Sequence, residues 1–276
     1  MRTSGEHHAT KLPIPVNFGH DPRALIPIRK GMIMTTTPVR LLAVLAMALL
    51  VFSGLSTATA PEAAAYDWSR ELREGHSGAD VRELQIRVAG WAADSAQKTH
   101  VAVDGQFGPG TKAAVVRFQK AYGLAGSGVV DSATQQKLNA LEDSDGSTAH
   151  FEFAEFHSKD GAGFNGGNVG AATVKENVRR LMYKLEAIRK KAGNAPITVN
   201  SGFRSKAHNQ SVGGAPNSQH TYGIAADIVV SGRTVSQTIG YAQTSGLSGI
   251  IRYSSFTHVD SRVEYSYGAN SWYWAV

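Results

Sequence analysis

"NSQHTYGIAADIVV" (217–230) sets a histidine and an aspartate seven residues apart, His220 and Asp227, with Gly223 between them. Ile224, Ala225, Ala226, Ile228 and Val229 surround Asp227, and a short apolar run bounded by a glycine reads as a buried strand. A carboxylate drawn into such a strand is costly unless it is paired or bound to metal. Working outward, "ITVNSG" (197–202), "GIIRY" (249–253) and "FTHVDS" (256–261) read as further strands. A helix over 234–245, stopped by Gly246, separates the second strand from the third. Upstream, Val174, Val178, Leu181, Leu185 and Ile188 recur at helical steps, with Thr173 the expected N-cap, Glu176 completing a capping box and Gly193 the stop. Phe151, Phe153 and Phe156 gather around a turn before that helix. One long helix over late-grouped strands is an α+β pattern, here expected to have a central antiparallel sheet.

A hydrolytic zinc site needs three protein ligands and one open position, and histidine with carboxylate suffices without thiolates. The third ligand is expected to be His258, because "FTHVDS" is a strand and rigid elements hold ligands better than loops. No HExxH helix is present, so any such site has another geometry. Taken singly, a strand histidine reads equally well as a hydrogen-bonded core residue, and Asp227 as the cap of a turn. Asp260 follows His258 by two and projects from the same strand face, about 7 Å along. There it would either take a proton from the attacking water or hold His258 in one tautomer. His208 reads as structural.

The first half has a different grammar. "LREGHSGADVRELQIRVAGW" (72–91) is a turn and then an amphipathic helix, with Val81, Leu84 and Val88 inward and Gln85 and Arg87 outside. "VDGQFGPGTKAAVVRFQKAYGL" (103–124) is a glycine-rich turn, then a helix with Thr111 as the expected N-cap and Ala114, Val115 and Phe118 inward. "GVVDSATQQKLNAL" (128–141) partly repeats that device. The motifs "DVRELQ", "DGQFGPGT", "AAVVRFQ" and "GVVDSAT" resemble the three-helix peptidoglycan-binding module found beside bacterial wall hydrolases. "GWAADSAQKTH" (90–100) is longer than that module usually allows between its first two helices. The polar stretch "EDSDGSTA" (142–149) reads as a linker between a domain over 66–141 and another over 150–276.

In the second domain, "SGFRSKAHNQSVGGAPNSQHTYGIAADI" (201–228) with "FTHVD" (256–260) closely resembles the zinc D-alanyl-D-alanine carboxypeptidase family, over about residues 150–262. Its wider relatives include other wall metallopeptidases and the hedgehog signalling domain. The resemblance implies that His220, Asp227 and His258 hold zinc, that Arg204 of "SGFR" meets the substrate or its developing oxyanion, and that Ser218 supports the site. Many family members place an acid or histidine two or three residues before the last histidine as general base. Here Phe256 and Ser255 stand there and neither can take a proton, so Asp260 is the expected substitute.

Composition bounds the rest. With no cysteine among 276 residues, cysteine proteases, thiolate metal sites and lipoprotein anchors are excluded. The formal charge is +6, but residues 1–65 hold six of the 28 basic and three of the 22 acidic side chains, leaving about +3. No Lys/Arg cluster suggests nucleic acid. "MTTTPVRLLAVLAMALLVFSGLSTATA" (34–60) reads as the core of a signal region over 1–65, with Met34 or Met32 as the alternative start to Met1. Its apolar run, Leu41–Phe52, is 12 residues, short of the ~20 of a spanning helix, so no stable membrane insertion is expected after cleavage.

The expected function is thus that of a secreted, wall-associated monomeric zinc peptidase cutting peptidoglycan stem peptides, with D-Ala-D-Ala carboxypeptidase activity foremost. The alternatives are a peptidoglycan endopeptidase and a non-catalytic wall-binding protein. A serine D-Ala-D-Ala peptidase is excluded: Ser95–Lys98 spells S-x-x-K, but no K-T-G or S-D-N accompanies it. The aromatic tail "SWYWAV" (271–276) is expected to complete the core.

Overall fold

Two buried glutamines organise the first half of the chain. The computed structural model describes residues 66–276, and the stretch 1–65, expected to be a signal region, lies outside the described residues. Helices α1 (Ala79–Val88), α2 (Pro109–Ala121) and α3 (Ser132–Asn139) pack around Leu84, Val88, Phe107, Val115, Phe118 and Leu138. Gln85 of α1 donates to Asp104 Oδ1 (2.8 Å), Gln106 O (3.0 Å) and Thr111 Oγ1 (3.2 Å), and accepts from Gly105 N (2.8 Å). Gln119 of α2 repeats the clamp, donating to Val129 O (2.8 Å) and Thr134 Oγ1 (3.0 Å) and accepting from Gly128 N (2.9 Å). Each clamp ties a helix to the loop that leads into the next, which is the physical content of the sequence repeat.

Gln85 and Arg87 are therefore buried, not outside as helical periodicity suggested. Periodicity counts apolar residues and misses polar ones whose hydrogen bonds are all met inside. Arg87 meets Glu83 (2.6 Å) and Glu142 (2.6 Å) and is flanked by the rings of Tyr66, Trp68 and Tyr183. Thr111 is not the N-cap of α2, which starts at Pro109, where a fixed φ and a missing N–H suit the first helical position.

The second half continues with a 3-10 turn (Phe153–Phe156), α4 (Ala171–Lys191), β1 (Ile197–Ser201), α5 (Lys206–Ser211), β2 (Ala225–Val230), α6 (Val235–Ala242), β3 (Gly249–Arg252), β4 (Thr257–Asp260) and β5 (Tyr273–Ala275). Helix α4 begins at Ala171, not after Thr173, because two alanines extend it back to Gly170. Thr234 caps α6 in a capping box with Gln237. The sheet order is β1-β2-β4-β3-β5. Its first four strands pair antiparallel, but β5 lies parallel to β3, so the sheet is mixed instead of wholly antiparallel. The reason lies in the tail: Trp274 packs on the core and donates Nε1 to Leu247 O (3.1 Å), which fixes the last strand along the β3 edge.

Strand alternation then sorts the site from the core. Ala226, Ile228, Val230, Val259 and Ile250 join Val178, Leu181 and Leu185 of α4 in one apolar cluster. The intervening residues, Ala225, Asp227, His258, Asp260 and Gly249, occupy the other face. Helix α4 is apolar on its far side too, where Tyr183 and Ala187 enter the core of α1–α3. The stretch 142–149 is a hydrogen-bonded turn, Asp143 N to Ser147 O (3.0 Å) and Ala149 N to Leu141 O (3.1 Å), with Ser147 and Thr148 buried. The long 90–100 stretch docks on the end of α6, with Ala93 N on Thr244 O (3.2 Å).

Candidate metal centre

Pairing of β2 with β4 sets Asp227 directly opposite His258. His220 arrives from a 3-10 turn (Gln219–Tyr222) ended by Gly223, whose φ of 74° favours glycine and turns the chain into β2. The three side chains are buried, and their ligand atoms all lie within 4.8 Å of one another. Asp227 Oδ1 is 2.8 Å from His258 Nδ1 and 3.3 Å from His220 Nε2, and the two ring nitrogens are 3.2 Å apart.

The outer contacts decide which atoms face inward. His220 Nδ1 is 2.6 Å from Gly202 O, a pure acceptor, so Nδ1 carries the hydrogen and Nε2 presents a lone pair. His258 Nε2 is 3.2 Å from the Asp260 carboxylate, so Nδ1 is its inward lone pair. Three acceptors thus converge with no donor among them, and only a shared proton or a cation satisfies all three. Hard and borderline donors in a His₂Asp set, each ring oriented by a second group, fit zinc.

Electrostatics agree with this reading. Burial pushes Asp227 up, but its bonds from His220 and His258 outweigh that and hold it well below the carboxylate range. Burial dominates at His220 and pulls it down. Burial also opposes charge on His258, yet Asp227 and Asp260 overcome it and raise the group. Burial raises Asp260 as well, and the bonds from His258 and Arg262 more than offset it, leaving about 2.

Arg204 donates Nη2 to Asp227 Oδ2 (2.7 Å) and Nε to Ser201 Oγ (2.8 Å), so it is anchored on the carboxylate oxygen that faces away from the histidines. Asp260 is fully occupied. Arg262 reaches it with Nη2 (2.6 Å), Nε (2.9 Å) and its backbone N–H (3.0 Å). Gly249, paired with Asp260 on β3, makes the room: a Cβ there would stand 2.0 Å from Asp260 Oδ2. Sequence reasoning missed Gly202, Gly249 and Arg262. The available signal was an arginine two residues past a buried acid, at a strand end where both can turn to one side.

A cleft of about 410 Å³ opens over the cluster, with Arg204, Asn217, Ser218, Tyr253 and Arg262 on its walls. Its lining includes no carboxylate or imidazole besides His220, Asp227 and His258. His208 lies on α5, outside the cluster.

Comparison with known proteins follows the same division of the chain. Residues 149–260 match the family model described as "Peptidase M15", and residues 77–138 match the one described as "Putative peptidoglycan binding domain". Over 231 residues the chain is 44% identical to the zinc D-Ala-D-Ala carboxypeptidase of Streptomyces albus G, covering 79% of this chain and 89% of that protein. The chain belongs to the M15 peptidase family.

Proposed function

We propose that this M15 peptidase is a zinc D-Ala-D-Ala carboxypeptidase of the cell wall, exported by its signal region and acting as a monomer on peptidoglycan stem peptides. The observation that carries the reading is the buried meeting of three acceptor atoms beneath an arginine-walled cleft. In this reading residues 66–141 form a three-helix wall-binding domain, 142–149 the joint and 150–276 the catalytic domain.

Zinc in such a site supplies Lewis acidity, polarising a carbonyl and acidifying water. His220 Nε2, Asp227 Oδ1 and His258 Nδ1 would hold it. Gly202 O and Asp260 fix the two rings, and Arg262 in turn fixes Asp260. Of the two roles open to Asp260, positioning is the one supported. Both its oxygens are engaged, and a carboxyl held near about 2 is a weak base at neutral pH. Arg204, anchored through Nε and Nη2, offers Nη1 to an oxyanion or a terminal carboxylate.

The lack of a further acid or imidazole in the cleft lining favours one alternative, a zinc-holding wall protein without turnover. Purified protein with zinc or with chelator, incubated with intact muropeptides and read by mass, separates the readings. Zinc-dependent loss of one terminal D-alanine is expected. A cut inside the stem or crossbridge would move the assignment to an endopeptidase, and no cleavage by folded, zinc-loaded protein would establish the binding protein.

A further inference from the structure

Away from the cleft, the broad face of α2 and the exposed face of α6 enclose a groove of about 900 Å³, which shares no lining residue with the metal centre. Its volume is in the range of specific ligand sites. From α2 come Pro109, Lys112, Val116 and Lys120, spaced three and four apart and so on one side of the helix. Gln237, Gly240, Tyr241 and Thr244 repeat that spacing on and just past α6. Trp91 closes the floor, and the long 90–100 stretch supplies Ala93 and Asp94. Both halves of the chain and the stretch that departs from the usual module therefore build one surface.

The groove is apolar inside and cationic at its edges. Lys112 is paired with Glu74 (2.9 Å) and Arg117 with Asp94 (2.8 Å), whereas Lys120 has no ion pair among the described residues. The half-buried Lys191 is tied to Gly90 O, Thr244 O and Ser245 Oγ, and lies 5.1 Å from the centre of the Trp91 ring. Burial pulls Lys191 down to about 7, and Lys112 and Arg117 are each matched by a carboxylate, so Lys120 carries the free positive charge beside the apolar floor.

Gly240 lies on the α6 wall of the groove. It sits inside α6, where glycine costs roughly 0.5–1 kcal/mol relative to alanine. Its φ is not in the left-handed region, and a Cβ there would meet nothing within 4 Å. Nothing within the fold requires the glycine, and its open surroundings leave room there for a larger side chain to block the groove.

We propose that this inter-helix groove binds the peptide arm of peptidoglycan, an acidic peptide with small apolar side chains, as a second wall-binding site shared by both domains. The inference rests on the wall-peptidase reading above. Methyl-bearing residues suit the apolar floor, and free carboxylates suit the unpaired lysine.

The test compares the full chain with Gly240→Phe, which fills the groove, Lys120→Glu, which reverses its free charge, and Gly240→Ala, which leaves it open. Co-sedimentation with wall sacculi should weaken roughly tenfold for Gly240→Phe and several-fold for Lys120→Glu, about 1.4 kcal/mol for the former. Gly240→Ala should match the parent, and zinc-dependent cleavage of a soluble D-Ala-D-Ala tripeptide should be unchanged in all three. Soluble stem peptide should compete for sacculi, and glycan strands stripped of peptide should not. Parent-like sedimentation of Gly240→Phe, or competition by the glycan alone, would overturn the proposal. A parent that cleaves the tripeptide but ignores sacculi sinks the groove and spares the enzyme. A parent that binds sacculi through the groove without cleaving anything does the reverse.

Discussion

Removing the Asp227 carboxylate leaves two buried imidazole lone pairs 3.2 Å apart with nothing between them, and frees Arg204 from its anchor. Asp227→Ala is therefore expected to abolish tight zinc binding and turnover together. Arg262→Met acts one step further out, by releasing Asp260 and with it the ring of His258. Loss of an outer contact of this kind lowers metal affinity by about 10- to 100-fold. Titration against a chromophoric chelator measures both variants, and parent-like affinity in Arg262→Met would remove Arg262 from the site.

Protons compete for the same atoms. Because Asp227 and Asp260 raise His258 despite its burial, its folded-state pKa lies above the ordinary histidine value of about 6.5. Zinc must displace that proton, so affinity should begin to fall as pH drops through a value above 6.5, by about tenfold per unit thereafter. His220, lowered by burial, adds competition only in more acid solution. Affinity flat from pH 8 to 5.5 would contradict the assigned ligand atoms. At this scale the sequence was informative about which three side chains meet and poor about the groups that support them. A buried acid in an apolar run announces a partner by its cost, whereas a carbonyl such as Gly202 O has no residue signature.

At the scale of the element, register does the positioning. A slip of one residue between β2 and β4 would turn Asp227 to the α4 face, so the apolar alternation that buries Ala226, Ile228 and Val259 also sets Asp227 against His258 in the candidate metal centre. Gly249→Ala tests the neighbouring pair. The new Cβ would collide with Asp260, and overpacking of this kind costs about 1–3 kcal/mol. Thermal unfolding should fall and zinc affinity should fall with it; an unchanged pair of values would mean that Asp260 can relax without disturbing His258. The four strands around the site were legible because they are apolar runs bounded by turn residues. The fifth was not: "SWYWAV" contains three aromatics with no alternation to read, and its parallel pairing depends on where Trp274 docks. Gln85 shows the same limit in a helix, since its burial depends on partners 19 to 26 residues away.

Over the whole molecule, helix α4 is held in common. One face packs on the sheet, while Tyr183 and Ala187 lie in the core of the helical half, and Arg179 reaches across to Glu83. Two domains were legible from composition and motif, but a polar stretch such as 142–149 says nothing about the packing on either side of it. Deleting 66–141 exposes the buried Tyr183 and leaves Lys191 without Gly90 O. The shortened chain should therefore unfold at a lower temperature and aggregate more readily than the full one. Equal melting of the two would show that the shared face contributes little. No helix among the described residues is long and apolar enough to cross a membrane.

The most direct test of the central claim is diffraction from zinc-loaded crystals at the zinc absorption edge. A single strong anomalous peak bonded to His220 Nε2, Asp227 Oδ1 and His258 Nδ1, with one position left open toward the Arg204 cleft, is the predicted result. A peak on other residues, a fourth protein ligand closing the site, or no peak in folded protein would contradict it.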